Sequence, residues 1–167
     1  RIFESFNEAY IVINGVITET GGQLNVSYRY VGWLLTVPLL LLELVLVIRL
    51  TREETFSLGI KLTIAAVIMI LLGYSGEGLV DADQLQERWI YWSLAMFPFL
   101  FILYNLIIKL KNPISKQPKN VQSLVSNARW LLIVSWTIYP VVYLLPIFHP
   151  SASYVSLQVG YTVADIL

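Results

Sequence analysis

The sequence predicts an all-α integral membrane protein, a bundle of transmembrane helices, from three observations. Hydrophobic residues make up 57% and charged residues 13% of the 167 positions, and the mean hydropathy is +0.69, outside the range of soluble domains. Apolar runs of about 20 residues, the length that crosses a bilayer, recur along the chain. Lys and Arg are concentrated in some of the segments between them, and Asp and Glu in others. We therefore expect residues 1–167 to form a single transmembrane domain.

Six apolar segments are predicted as helices, and we letter them B to G because one further helix, A, is expected upstream. The chain opens in mid-pattern without Met and stops inside an apolar run, so we expect a fragment that lacks helix A and the end of helix G. The predicted helices are residues 3–18 (B), 28–48 (C), 56–74 (D), 89–108 (E), 130–148 (F) and about 154 onward (G).

The predicted loops alternate in charge, which sets the orientation of the bundle. Residues 49–55 form a short charged loop with two arginines and residues 109–119 are basic, whereas residues 75–87 are acidic and residues 19–25 form a polar, glycine-containing turn. Because Lys and Arg are enriched in cytoplasmic loops, the basic loops are predicted to be cytoplasmic. The basic set is Arg49, Arg52, Lys109, Lys111, Lys116 and Lys119, and the opposite, external set is Glu19, Glu77, Asp81, Asp83 and Glu87.

Helix C carries two charges inside an apolar segment, RYVGWLLTVPLLLLE. A charge at the centre of a span costs roughly 2.5 to 3.5 kcal/mol on insertion scales, so such residues are usually functional. At about 100° per residue, Arg29, Gly32, Thr36 and Glu43 share one face, which we expect to be buried. Arg29 and Glu43 are roughly 20 Å apart along the axis, so each needs its own partner.

Asp165 is the natural partner of Arg29, since it is an acid in the otherwise apolar segment YTVADIL of helix G. The pair is either an electrostatic centre that holds a cation between helices or a structural ion pair. The sequence offers no cationic side chain as a partner for Glu43, and burial favours the protonated form of its carboxyl. It is then either a group that gives up and regains a proton or a neutral acid hydrogen-bonded to nearby backbone.

An aromatic stripe on helix F, made of Trp136, Tyr139 and Tyr143, lies on one helical face. Such a stripe is more often bundle core or interfacial belt than a ligand pocket. The chain has no Cys, and it shows no glycine-rich phosphate loop, no metal-spaced His/Asp/Glu cluster and no nucleophile-base pair. We therefore predict no metal site, no nucleic-acid partner and no enzyme activity.

Four motifs in order carry a resemblance to a known family: RYVGWLLTVPLLLLE in helix C, GYSGE in helix D, the WxxYP pattern of Trp136, Tyr139 and Pro140 in helix F, and YTVAD in helix G. Together they resemble the microbial rhodopsins and, within them, the proteorhodopsins. The resemblance implies a seven-helix photoreceptor bundle around all-trans retinal. The retinal would be bound as a protonated Schiff base to a helix G lysine four positions beyond Asp165. It also implies a multi-pass homo-oligomer, a trimer or pentamer, among the lipids of a bacterial inner membrane.

The resemblance further assigns roles to individual residues. Asp165 is a counterion of the Schiff base, Arg29 the extracellular-side gate and Glu43 the cytoplasmic proton donor. Leu40 occupies a colour-tuning position. The residues expected to form the retinal pocket are Trp33, Thr36, Leu40, Trp92, Trp136, Tyr139, Pro140, Tyr143 and Tyr161.

Gly32 departs from the family pattern, because the pumps carry there an aspartate that is both counterion and primary proton acceptor. Helix B offers Glu8 and Glu4 instead. If Tyr10 matches the family's helix B tyrosine, the pocket histidine of proteorhodopsins falls at Ala9, beside Glu8. We hypothesise that the acceptor has moved to helix B, with Glu8 the first choice and Glu4 the second, an arrangement that resembles a mirrored proteorhodopsin. The alternative is that both acids face lipid headgroups or polar neighbours.

The sequence favours a light-driven outward proton pump, in which acids lie on both sides of the Schiff base. A photosensory rhodopsin or light-gated channel is the main alternative, with Gly32 marking lost pumping. A chloride pump fits less well, since such pumps replace the acceptor by a small polar residue and lack the donor acid. A purely structural membrane protein explains neither the three intramembrane charges nor the motif order.

Overall fold

The computed structural model describes residues 10–13, 16–19, 27–48, 50–79, 81, 83–148 and 154–166. Four helical segments are long and apolar enough to cross a membrane, namely Ser27–Val47, Arg52–Glu77, Leu85–Ser115 and Lys119–Phe148. The helices in chain order are α1 Ser27–Val47, α2 Arg52–Glu77, α3 Leu85–Tyr104, α4 Lys111–Ser115, α5 Lys119–Tyr143, α6 Leu145–Phe148 and α7 Tyr154–Ile166, with a π-helical turn at Asn105–Lys109. Helices C, D, E, F and G are thus confirmed as α1, α2, α3, α5 and α7.

The core of the bundle lies where α1, α2, α3 and α5 meet. Leu41 of α1, Leu62 of α2 and Ile102 of α3 are each fully buried in this cluster, and Ile133 of α5 completes it. Large apolar side chains also cover the outside, such as Phe97, which is 73% exposed. An apolar exterior of this extent is expected where the surrounding solvent is lipid rather than water.

The predicted helix B is wrong over residues 10–13 and 16–19, which form an antiparallel hairpin. Strand β1 is Tyr10–Ile13 and β2 is Val16–Glu19, with Tyr10 opposite Glu19 and Ile13 opposite Val16. β-Branched residues fill both strands, and the sequence between them is Asn-Gly, the pair that favours a two-residue hairpin turn. Glu4 and Glu8 lie outside the described residues.

Helix α2 is longer than predicted at both ends. It begins at Arg52 because Thr51 forms a capping box, in which the Glu54 backbone N–H donates to the Thr51 hydroxyl and the Thr51 N–H donates to the Glu54 carboxylate. It continues to Glu77 rather than ending at residue 74. Glu77 is therefore a helical residue and not part of an acidic loop.

The predicted basic loop at residues 109–119 is largely helical. After the π-helical turn, α4 carries Pro113 at its third position, within the first turn, where the missing N–H of proline has no helical partner to lose. Helix α5 begins at Lys119 rather than at residue 130. The lysines of residues 109–119 are exposed, so this segment presents a basic surface although it is helical.

Close packing between α2 and α5 predicts that Gly76→Ala destabilises the fold. A methyl group at Gly76 would overlap the hydroxyl of Tyr143 and lie 2.8 Å from Cβ of Tyr91. Overpacking of this kind costs about 1 to 3 kcal/mol. Gly78→Ala is the matched control, because nothing lies within 4 Å of the added carbon and the backbone is right-handed helical. Thermal unfolding in detergent should show a lower Tm for Gly76→Ala alone, and equal Tm values would contradict this packing.

Candidate functional site

A cavity of about 380 Å³ lies within the bundle, between α1, α2, α3, α5 and α7. Its walls are mainly apolar and aromatic, as in most sites for small organic ligands. Every residue predicted for the pocket lines it, as does the predicted counterion Asp165, together with others that the sequence did not single out, including Tyr30, Met69 and Gly73.

Aromatic rings shape one end of the cavity. Trp33 packs edge-on against Tyr139 and Tyr161, with ring centroids 4.8 and 5.8 Å apart. Tyr139 and Tyr161 lie nearly parallel, 6.0 Å apart. Trp92 donates its indole N–H to the carbonyl of Pro140 over 3.0 Å, so its polar atom is satisfied while the ring faces the cavity.

Asp165 is the centre of a polar cluster beside these rings. Its Oδ2 lies 3.4 Å from Nε of Arg29, so the predicted pair is in contact. Its Oδ1 accepts a hydrogen bond from the hydroxyl of Tyr139 over 2.6 Å and a longer one from the indole of Trp33 over 3.4 Å. The guanidinium of Arg29 also lies 5.4 Å from the ring centroid of Tyr161. Three side chains from two other helices, α1 and α5, therefore hold the Asp165 carboxylate in a defined orientation.

Gly32 is exposed on α1 and has open space beside it. A Cβ atom added there would meet nothing within 4 Å among the described residues. The hydroxyl of Thr36, one turn later, donates to the Gly32 carbonyl over 3.0 Å and is thereby satisfied within its own helix. Position 32 of α1 thus has room for an acidic side chain but carries no titratable group.

Glu43 does not line the cavity, and the expectation that it is buried is wrong for the described part of the chain. Its side chain is exposed, as are Leu39 and Leu46 nearby on the same helix. The core-facing side of α1 is instead taken by Leu41, Leu44 and Val45. The polar track predicted for this helix therefore splits, with Arg29 and Thr36 near the cavity and Glu43 on the outer surface.

A second buried polar cluster was missed by the sequence analysis, which placed Glu77 in a loop. Glu77 and Arg88 are 1% and 0% exposed. Oε2 of Glu77 accepts hydrogen bonds from the hydroxyls of Tyr30 and Tyr161, each over 3.0 Å. The only sequence feature that points to this cluster is the position of Glu77 in the GYSGE motif, directly after a glycine that permits close packing. The partners of Glu77 come from distant parts of the chain.

The profile of the family described as "Bacteriorhodopsin-like protein" matches residues 4–167. The chain belongs to the bacteriorhodopsin-like family.

Several relatives support this membership. The chain is 30% identical over 160 residues to the green-light absorbing proteorhodopsin of Gamma-proteobacterium EBAC31A08, covering 95% of this chain and 62% of the relative. It is 32% identical over 138 residues to archaerhodopsin-2 of Halobacterium sp. (strain aus-2), covering 81% and 50%. The chain thus spans less than two thirds of the length of these curated relatives.

Solved structures agree in fold. Xanthorhodopsin, described as a light-driven ion pump with dual chromophore, superposes with a TM-score of 0.85 at 45% identity, over 100% of this chain and 67% of that one. A thermophilic rhodopsin gives a TM-score of 0.83 at 43% identity, over 99% and 66%. The expected rhodopsin fold, a bundle of seven transmembrane helices in the full family member, is confirmed.

The cavity suits the family's chromophore, retinal. Its aromatic and apolar lining matches a long hydrocarbon, and the Asp165 carboxylate at one side matches a cationic end. The residues that would hold retinal are Trp33, Trp92, Trp136, Tyr139 and Pro140.

Filling the cavity from α2 should prevent chromophore formation. Gly73 lines the cavity, and a Cβ atom there would lie 3.6 Å from the ring of Tyr30, so the ring of Gly73→Phe would occupy ligand space. Ser75→Phe adds the same ring at an exposed position of the same helix. We expect the full-length protein with Gly73→Phe to give little visible absorption band on adding all-trans retinal, and Ser75→Phe to give the normal band. An unchanged band in Gly73→Phe would mean that retinal does not occupy this cavity.

Proposed function

We propose that this chain is the retinal-binding part of a light-driven outward proton pump. The observation that carries the proposal is the Asp165 carboxylate, held by Arg29 and Tyr139 against an aromatic cavity. When bound, retinal supplies light absorption and a cationic Schiff base with a transferable proton. The described residues supply the pocket, the negative charge that balances the Schiff base, and polar groups at both ends of the bundle.

Pumping needs proton-exchanging groups on both sides of the Schiff base. Arg29 and Asp165 lie at the end of the bundle where α1 begins. Glu43 lies toward the other end of α1, roughly 20 Å from Arg29 by the rise of a helix. We assign Glu43 as the proton donor, a role that a sensor or channel does not require.

The direction follows from loop charge. Exposed Arg52, Lys111 and Lys116 lie at the same end of the bundle as Glu43, and basic loops are retained in the cytoplasm. Glu43 therefore takes protons from the cytoplasm, and Asp165 faces the exterior. A bacterial inner membrane is the proposed location, and the trimer or pentamer implied by the resemblance stays a prediction.

The primary proton acceptor is proposed to lie outside α1, because Gly32 cannot accept a proton. Glu8 is the first candidate and Glu4 the second. The hairpin that begins at Tyr10 means that Glu8 precedes a strand, so the helical register that placed it beside Ala9 no longer supports the choice. Support comes instead from the open space at Gly32, which a longer side chain from another segment can enter.

A photosensory rhodopsin or a light-gated channel is the second candidate. Gly32 favours it, since loss of the acid on α1 removes the acceptor that the family's pumps use. Glu43 favours the pump. The two readings differ in whether light moves protons against a gradient.

Light-induced pH change in cells that express the full-length protein with retinal distinguishes the pump from the sensor or channel. We expect acidification of the medium that is abolished by a protonophore, is lost in Glu8→Gln and persists in Glu53→Gln, an exposed acid near the start of α2. Loss in Glu4→Gln instead would move the acceptor to Glu4. No acidification at any pH, despite a visible chromophore, would contradict pumping.

Restoring an acid on α1 should change the colour of the protein. Gly32→Asp is sterically allowed, and a carboxylate near the Schiff base stabilises the cation in the dark state, which widens the energy gap to the excited state. We expect the absorption maximum of Gly32→Asp to move to shorter wavelength than that of Gly32→Asn, which has the same shape without the charge. Identical maxima would show that position 32 does not face the Schiff base.

A further inference from the structure

Arg129 is a buried cation between α5 and α3 that the proposed function does not use. It is 7% exposed. Its Nη1 donates to the carbonyl of Leu106 over 3.5 Å, which is long for a hydrogen bond. Its Nε is buried and has no hydrogen-bond partner among the described residues, and no acid among them is paired with it. A guanidinium carries five N–H donors, so burial with one weak acceptor is costly.

The acceptor of this hydrogen bond belongs to an irregular part of α3. Leu106 lies in the π-helical turn Asn105–Lys109, which closes where the Leu110 N–H donates to the Asn105 carbonyl over 3.0 Å. Single π-helical turns are rare and are frequently found at functional sites. We call Arg129 together with this turn the α3–α5 site. Neither Arg129 nor Leu106 lines the cavity.

The α3–α5 site lies toward the end of the bundle that carries the basic segments. Arg129 precedes Tyr139, which lines the cavity, by ten positions of α5, or roughly 15 Å along the helix axis. That distance is half of the hydrocarbon thickness of about 30 Å. Side chains on a helix tilt toward its N-terminus, and α5 begins at Lys119. The guanidinium is therefore directed away from the cavity, toward the level of the lipid headgroups.

The surroundings of Arg129 add an exposed aromatic ring and more positive charge. The guanidinium carbon lies 5.3 Å from the ring centroid of Trp130, which is 47% exposed. Trp is enriched at the headgroup level of membrane proteins. Lys109, within the π-helical turn, and Lys111, at the start of α4, are both exposed. The site thus combines a cation that lacks acceptors with an excess of positive charge, and both favour an anionic ligand.

A phosphate group is the anion that best fits these donors. A guanidinium binds phosphate oxygens through two parallel N–H groups, and lysines add attraction as point charges. At the headgroup level the membrane itself supplies phosphate. Basic pockets between transmembrane helices at the cytoplasmic side bind acidic lipid headgroups, and the basic end of this bundle is the one proposed to be cytoplasmic.

We propose that the α3–α5 site binds the phosphate group of an anionic phospholipid. Arg129 is the main ligand, and Lys109 and Lys111 strengthen the attraction. The phosphate oxygens supply the acceptors that the described residues do not offer to Arg129, and the bound lipid thereby stabilises the contact between α3 and α5. This site is separate from the retinal cavity and does not depend on whether the protein pumps protons.

Thermal unfolding of the full-length, retinal-bound protein in lipid nanodiscs tests the site. The comparison is between phosphatidylcholine alone, which has no net charge, and phosphatidylcholine mixed with anionic phosphatidylglycerol. We expect phosphatidylglycerol to raise the Tm of the wild type by at least about 2 °C. The same increase should occur in Arg52→Gln, which removes an exposed arginine at the same end of the bundle, and should be absent in Arg129→Gln.

A structural role of Arg129 would give a different pattern. If Arg129→Gln has a lower Tm in both lipids but keeps the increase from phosphatidylglycerol, Arg129 only holds the π-helical turn and the proposal is overturned. Inorganic phosphate added to phosphatidylcholine nanodiscs should leave the Tm of the wild type unchanged. An increase equal to that from phosphatidylglycerol would identify a free ion as the ligand and overturn the assignment to lipid.

A second variant decides the question if Arg129→Gln does not fold. Lys109 and Lys111 are exposed, so replacing both by Gln removes positive charge from the site without removing a buried group. We expect the double variant to show a smaller increase in Tm from phosphatidylglycerol than the wild type. An increase equal to that of the wild type would contradict the proposed site. No light is used, so these results are independent of the test for proton pumping.

Discussion

The contact between Arg29 and Asp165 is the constraint on which the rest of the site depends. Each charge would be expensive alone between apolar helices, and each is satisfied by a helix distant in sequence. Tyr139 adds a hydrogen bond from α5 to the same carboxylate. The first and last described helices are thereby tied to the fifth, and the aromatic rings between them enclose the cavity.

Two polar clusters share this architecture, and Tyr161 belongs to both. Its hydroxyl donates to Glu77, while its ring lies beside Arg29 and Trp33. Tyr161 therefore joins the surroundings of Asp165 to those of Glu77.

The residues that line the cavity were expected from the resemblance to the microbial rhodopsins, whereas helical periodicity alone favoured bundle core or an interfacial belt for the aromatic stripe. The hairpin was not, since β-branched residues around an Asn-Gly pair were read as part of an apolar helix. The ends of α2 were missed because capping by Thr51 and burial of Glu77 outweigh the polar composition there. The Glu77 cluster needs partners from four helices, and no local pattern predicts such an assembly.

The most direct measurement compares the visible absorption maxima of the full-length, retinal-bound wild type and Asp165→Asn in the dark. A carboxylate beside a cationic chromophore stabilises the dark state, so the account predicts a maximum at longer wavelength for Asp165→Asn. Asp81→Asn, which removes an exposed acid outside the helices, should absorb like the wild type. Equal maxima for Asp165→Asn and the wild type would show that another group balances the chromophore, and would contradict the central role of the Arg29 and Asp165 pair.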